Sequence, residues 1–390
     1  MKKILQALFS LIFIGFITII GFMTLFNNES LSYTEGRKLT TFPKFSAKKM
    51  LDKDYLDELT LAFSDQMEFR SSFIKTYYLF NMQKYMGNVA KGENNQLYAA
   101  PLVIKDKKVY KKNLNKSIER INKVAKKVTK NSNRKFIYLS IPRKDQVMTE
   151  YLPDNYIKSV TEYKKGMKYI KENLSDNIIV IDAMELFNEH KGEADFYYST
   201  DHHVNMRGAQ IVYEKLLEIV KKDYPNIKFT DIDRDYIISK TIINGSYNRQ
   251  LGGSVNAGEE ELYLEYKDKS LKYTRYEDGK VSDMPIFSDG NDYKVYMGGD
   301  MAETLVKTNN KNAPNILFSG SSYTNILEAF SIASFKDVAS VDYKNNKTGK
   351  GLDEYAREVK ADYVVFVPAS SYNPFSATKI REHLGLKKGE

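Results

Sequence analysis

Asn315-Ile-Leu-Phe-Ser-Gly-Ser-Ser-Tyr-Thr324 runs from an apolar stretch into a turn of small residues, and helical spacing follows from Tyr323 to Ser334. A buried strand that breaks on Gly-Ser-Ser and restarts as a helix is a repeating unit of α/β proteins. A serine at that junction projects from the carboxyl end of a sheet. There its hydroxyl meets helix N-terminal N–H groups able to hold an oxyanion. The same turn also suits a simple helix cap by Ser321 or Ser322.

The units on either side repeat the pattern. Lys135-Phe-Ile-Tyr-Leu-Ser-Ile141 is a short apolar strand stopped by Pro142, and residues 177–182 are the next strand. Helical spacing covers 112–130, 160–174 and 205–222. After 315–324, strands are expected at 337–342 and 363–367 with a helix at 351–360. This alternation predicts a mainly parallel sheet covered on both faces. Residues of about 227–300 break it. They are rich in Tyr, Thr and Gly, with alternating runs such as Glu261-Leu-Tyr-Leu-Glu-Tyr266, and read as a β-rich insertion. Residues 30–110 read as mainly helical, with helices at 50–63 and 71–85. The expected organisation is an anchor at 1–26, a helical membrane-proximal region at 27–112, and an α/β domain at 113–390.

The chain has 390 residues, 42% of them hydrophobic and 28% charged, which is globular composition. It has no cysteine, which excludes disulfides, thiolate metal sites and a cysteine nucleophile. Lys2 and Lys3 precede Ile4 to Phe26, a run of apolar and uncharged residues long enough for a bilayer. No small-residue exit site follows, so an uncleaved anchor with an extracytoplasmic body is expected, a cleaved signal being the other reading. The formal net charge is +9. Outside the cytoplasm this points to anionic wall polymers or lipid headgroups and not to nucleic acid. No like-charge block stands out, and a general preference for lysine explains the excess equally well.

Only His190, His202, His203 and His383 can supply imidazole chemistry. Two of them lie in Ser199-Thr-Asp-His-His-Val-Asn-Met-Arg-Gly-Ala209. On a loop, Asp201 and His203 are spaced so that the carboxylate reaches Nδ1 and fixes the tautomer. An Asp cap followed by surface histidines has the same spacing. His190 and His383 sit in polar stretches and read as surface residues. Lys144 follows a strand at its carboxyl end, where open α/β sheets place ligands, and reads either as a contact for a glycan or as a solvated loop charge.

Thr200-Asp201-His202-His203 followed by Gly208, together with Gly320-Ser321-Ser322-Tyr323, resembles the SGNH-hydrolase-like O-acetyltransferases of exopolysaccharide export. The similarity is closer still to the Gram-positive DHHW family. Glu35-Gly-Arg-Lys-Leu39 with Pro43, Asp65-Gln-Met-Glu-Phe-Arg70, Pro142 with Tyr151-Leu-Pro153, Gly245-Ser-Tyr247 and Met297-Gly-Gly-Asp300 fit the same pattern, so the resemblance spans about 30–370. Two positions depart from it: Val204 stands where the family has tryptophan, and Ser321 where Gly-Asp-Ser turns have aspartate.

The resemblance implies an SGNH-like three-layer α/β sandwich with an N-terminal transmembrane helix. It implies Ser322 as nucleophile, His203 as general base and Asp201 as its orienter, with no cofactor. Asp-His-His also occurs in manganese phosphoesterases, but no Asp-x-Asp partner at a convincing strand end and no glycine-rich histidine motif accompanies it, so no metal is expected. The backbone N–H of Ser322 is one oxyanion donor. Gly299 is the expected second, because glycine lets backbone approach a substrate, although Gly298-Gly299 also suits a plain hairpin turn. Asn325 and Tyr323 are further candidate donors. His202 either shapes the pocket or is exposed. The implied activity is O-acetyl transfer or ester hydrolysis on a cell-surface polysaccharide or wall polymer at a Gram-positive surface. A membrane-bound O-acyltransferase is the implied partner. The competing expectation is a catalytically idle glycan-binding or scaffold component, which the loss of aspartate at 321 favours.

Overall fold

The computed structural model describes residues 2–32, 37–80, 89–154, 156–346, 348–368 and 375–387. Residues 35 and 36 of the motif after the anchor, and 81–85 of the second expected helix, lie outside them. Two units result: Met1–Val89 with Ser246–Asn256, and Ala90–Gly245 with Ala257–Glu390.

The first unit contains α1 (Lys2–Phe26), α2 (Lys53–Asp65) and α3 (Arg70–Phe80). Residues Lys3–Phe26 of α1 are long and apolar enough to cross a membrane. α2 starts three residues later than its periodicity suggests, because the Asp52 carboxylate caps it by accepting from the Tyr55 N–H. The buried Gln66 side chain accepts from the Glu29 N–H and donates to the Glu29 and Thr40 carbonyls. Asp65 accepts from the Thr40 N–H. The Asp65-Gln66 pair therefore fastens the segment that follows α1.

The second unit is built on an eight-stranded sheet: β1 (Lys135–Ser140), β2 (Ile178–Asp182), β3 (Tyr273–Glu277), β4 (Lys280–Ser282), β5 (Glu303–Thr308), β6 (Ile316–Gly320), β7 (Asp337–Val341) and β8 (Tyr363–Val367). Their order is β4-β3-β5-β7-β6-β8-β1-β2. The stretch from β7 to β2 is parallel. β5 joins β7 antiparallel and carries β3 and β4 with it. Part of the insertion thus extends the main sheet, and its remaining strands, Tyr236–Ile242 and Glu259–Tyr266, pair separately. The sheet is mixed because the strand after the insertion returns along β7 in the opposite sense. Residues 89–99, expected within a helical region, contain a short two-stranded pairing of Val89–Lys91 with Leu97–Ala99.

The helices α4 (Lys107–Thr129), α5 (Val160–Asn173), α6 (Ala183–Glu189), α7 (Met206–Lys221), α8 (Asn325–Ser331), α9 (Leu352–Glu358) and α10 (Ala377–His383) complete three layers. Alternation along each strand sorts the core. Phe136, Tyr138, Leu317, Val364 and Phe366 pack with residues of α4, α5, α9 and α10. Ile137, Leu139, Phe318, Val365 and Val367 pack with residues of α7 and α8. The parallel strands are buried on both faces, which is why they read as continuous apolar runs.

Arg275 on β3 is 2% exposed. Its guanidinium donates to the carbonyls of Pro285 and Met297 and pairs with Glu277. It therefore holds the irregular segment 285–297 against the sheet. Replacing it leaves those acceptors without their charged donor. Arg275→Leu should lower unfolding free energy by about 3–5 kcal/mol, measured from the denaturant midpoint at constant slope.

Candidate active site

β6 ends at Gly320, and Ser322–Thr324 form one 3-10 turn leading into α8. A Cβ on Gly320 would lie 2.4 Å from the Val367 carbonyl of neighbouring β8, so only glycine fits between the two strand ends. The Ser319 hydroxyl donates to the His383 carbonyl, and His383 Nδ1 donates to the Gly320 carbonyl. His383 is 5% exposed and buttresses this strand end, contrary to its polar sequence context. Its partners come from β6, which local composition does not reveal. His190 is at the surface, paired with Glu193.

Asp201 and His203 lie on a loop closed by a bridge between Tyr197 and Val204. Asp201 Oδ1 accepts from the backbone N–H groups of His202 (2.6 Å) and His203 (3.0 Å) and from His203 Nδ1 (2.7 Å). The Ser322 hydroxyl donates to His203 Nε2 at 2.7 Å. Residues 119 positions apart thus share one hydrogen-bonded line from carboxylate through imidazole to alcohol. Burial works against the Asp201 charge, yet His203, His202 and their hydrogen bonds hold the carboxyl well below its usual range. Burial, reinforced by His202, pushes the His203 imidazole down to about 4. The resting ring is therefore neutral, with its Nδ1 proton directed at Asp201 and its Nε2 lone pair at Ser322.

Gly245 supports this loop from the insertion side. A Cβ there would sit 2.3 Å from the Thr200 carbonyl oxygen and 2.6 Å from the Asp201 nitrogen. The Gly245 N–H and the Ile243 carbonyl both bond the Thr200 hydroxyl. Lys144 supports it from the β1 side. It is 2% exposed, and Nζ donates to the Tyr198 and Ser199 carbonyls at 2.7 Å each. Burial lowers its pKa to about 7. Lys144 therefore faces the interior, and two of its N–H donors are spent on the loop.

Tyr293 is the residue that sequence reasoning missed. Its ring stacks on His203 with centroids 3.7 Å apart and planes within 3°. The His202 ring lies 3.8 Å from the same imidazole. Tyr293 sits on a single 3-10 turn in the insertion, four residues before the Met297–Asp300 motif, and nothing in its own residues pairs it with a loop some ninety positions earlier. Val204, in the place of the family tryptophan, is buried, and the aromatic cover over His203 comes from Tyr293.

The other expected donors divide. The Gly299 N–H donates to the Tyr296 carbonyl, closing a turn with positive φ at Met297, Gly298 and Gly299. That N–H is committed to the turn. The Tyr323 hydroxyl donates to the His202 carbonyl. Asn325 Nδ2 makes a long 3.4 Å contact with Asp300. Asn325 also lines a shallow polar depression, with room for about one water molecule, together with Gly299, Asp300, Ser321, Glu328 and Asp342. Burial raises the carboxyls of Glu328 and Asp342, the latter to about 6.

Asp201, His202 and His203 have ligand atoms within 4.8 Å of one another, close enough for a cation. As arranged, both ring nitrogens of His203 are already bonded, to Asp201 and Ser322, and Asp201 Oδ1 takes three donors. His202 Nδ1 lies 3.2 Å from the same Asp201 oxygen, so the three side chains are bonded to one another.

Residues 89–332 match the family described as the SGNH hydrolase-like domain of the acetyltransferase AlgX. No curated protein matches the chain. Among solved structures, PatB1 of Bacillus cereus with a sulfonyl adduct is similar at 20% identity and a TM-score of 0.57, over 74% of this chain and 98% of that one. A DHHW family protein from Eubacterium siraeum is similar at 20% identity and a TM-score of 0.58, over 77% of this chain and 99% of the other. These two likenesses show the shared fold, and the family match describes it as SGNH hydrolase-like.

Removing the Lys144 ammonium leaves the Tyr198 carbonyl with only a long bond from the Asp201 N–H. Lys144→Met should destabilise the chain by about 1–3 kcal/mol, read from the denaturant midpoint.

Proposed function

The chain belongs to the AlgX family of SGNH hydrolase-like acetyltransferase domains, and on that premise we propose that it is an O-acetyltransferase acting on a cell-surface polysaccharide or wall polymer. The observation that carries this reading is the line Asp201–His203–Ser322 at 2.7 Å per step. Ser322 is the proposed nucleophile, His203 the base and Asp201 the orienter.

Oγ of Ser322 attacks the carbonyl carbon of an acetyl ester or thioester while its proton passes to His203 Nε2. The tetrahedral oxyanion collapses, the donor's alcohol or thiol leaves with that proton, and acetyl-Ser322 remains. A sugar hydroxyl then attacks, gives its proton to Nε2, and receives the acetyl group as Ser322 regains its hydrogen. Asp201, held ionised, stabilises the imidazolium formed at each stage. With the Gly299 N–H engaged, the Ser322 N–H and the Asn325 amide are the proposed oxyanion donors. The carboxylates and Ser321 of the adjoining depression suit an acceptor rich in hydroxyl donors.

α1 is proposed to hold the enzyme in the membrane with its body outside the cytoplasm. The acetyl group would come through a multispanning O-acyltransferase partner.

Purified full-length chain treated with p-nitrophenyl acetate should gain one acetyl mass on Ser322 and turn over. Ser322→Ala and His203→Ala should each lower kcat by about 10⁴-fold or more. Equal slow rates in all three proteins would instead identify a binding module. Asn325→Ala should lower kcat about 10²-fold with little change in KM, as loss of an oxyanion donor does.

The pH profile follows from His203. The reaction needs the neutral ring, so kcat/KM should be lost only as pH falls through about 4. An acid limb at or above the ordinary 6.5 would contradict a desolvated base.

A further inference from the structure

The excess positive charge of this protein is not spread along it. α4 contains eight lysines and Arg120 against Glu119 alone, a net +8 of the chain's +9. Everything else in the sequence therefore sums to +1. All eight lysines of α4 are exposed. The opposite face of the helix is spent on the core, through Leu114, Ile118, Ile121, Val124, Ala125 and Val128. The lysines run as a strip from 107 to 127, about 30 Å along the helix, in two groups separated at 117–122 by a stretch that exposes Glu119. Lysines stand four apart at 107/111, 108/112, 112/116 and 123/127. Like charges at that spacing oppose helix formation, and a bound polyanion removes the opposition.

We propose that the outer face of α4 binds a linear polyanion, a polymer whose anionic groups recur along its length. A lipid surface is the weaker fit. Interfacial helices bury an apolar face among headgroups, and the one large hydrophobic side chain that α4 exposes is Val109. Lysine in place of arginine points the same way. Arginine forks read planar anions bidentately, whereas lysines act as point charges that read charge density. The strip therefore senses a line of charge and not one headgroup or one sugar. α4 enters β1 through the short turn at residues 130–134, so it runs against the strands. Its N-terminal lysines consequently stand at the carboxyl end of the sheet, the end that carries the Ser321–Asn325 turn. A polymer on the strip runs from that rim toward the far side of the sheet. None of this depends on the chemistry assigned to Ser322.

The test uses the full chain in phosphatidylcholine nanodiscs, titrated with long-chain polyphosphate, polygalacturonate, neutral dextran and vesicles containing phosphatidylglycerol. Polyphosphate should bind with a Kd that rises steeply with salt, and dextran should not bind. Polygalacturonate reports whether carboxylates serve as well as phosphates. K107Q/K108Q/K111Q/K112Q should weaken polyphosphate binding by about tenfold or more and flatten the salt dependence. K126Q/K127Q, at the other end, should give a smaller loss of the same kind, so the result does not hang on one variant. K215Q/K221Q/K222Q/K269Q, with equal charge removed elsewhere, and Ser322→Ala should bind as the parent does. The proposal is overturned if the α4 variants keep parental affinity and salt slope, if the control variant loses as much, or if vesicles bind while polyphosphate does not.

Discussion

One carboxylate oxygen organises the site. Asp201 Oδ1 gathers two consecutive backbone N–H groups and the His203 ring nitrogen. A buried carboxylate without such donors would cost several kcal/mol or take up a proton. The three bonds offset that cost and fix the loop's backbone and the imidazole's orientation together. Because loop shape and ring orientation share an acceptor, neither can move alone. Lys144 beneath the loop holds its Tyr198 and Ser199 carbonyls, and Gly245 beside it packs on Thr200, so two further elements fix the stretch just before Asp201.

The imidazole is then kept dry. Tyr293 on one side and His202 nearby leave His203 only 6% exposed. Desolvation lowers its basicity, so at neutral pH it presents a lone pair to Ser322. The small depression at the Ser321–Asn325 turn differs in kind, because three carboxyl groups, Asp300, Glu328 and Asp342, line it.

Charge is arranged as economically as the site. α4 uses its apolar stripe to cover the sheet and displays nearly all of the chain's positive excess on its outer face. Composition alone made that excess look like a general preference for lysine. Only burial, by showing which side of the helix faces water, turned a sum into a surface.

Much of the architecture was legible from local pattern. Apolar runs at 135–141 and 363–367 announced strands, three- and four-residue spacing announced α4, α5 and α7, and the Gly-Ser-Ser break after Phe318 announced the junction where Ser322 sits. These follow from period and turn chemistry, which act over a few residues. The long-range pairings did not follow. That β3 and β4 extend the main sheet, that Tyr293 stacks on His203, that His383 braces Gly320, that Lys144 turns inward and that the Gly299 N–H is consumed by its own turn all depend on which distant segments meet. Sequence settled which residue types were on hand and in what local conformation. Tertiary structure decided which of them touch, because contact between residues a hundred positions apart is set by how sheet, insertion and loops close on one another and not by any spacing along the chain.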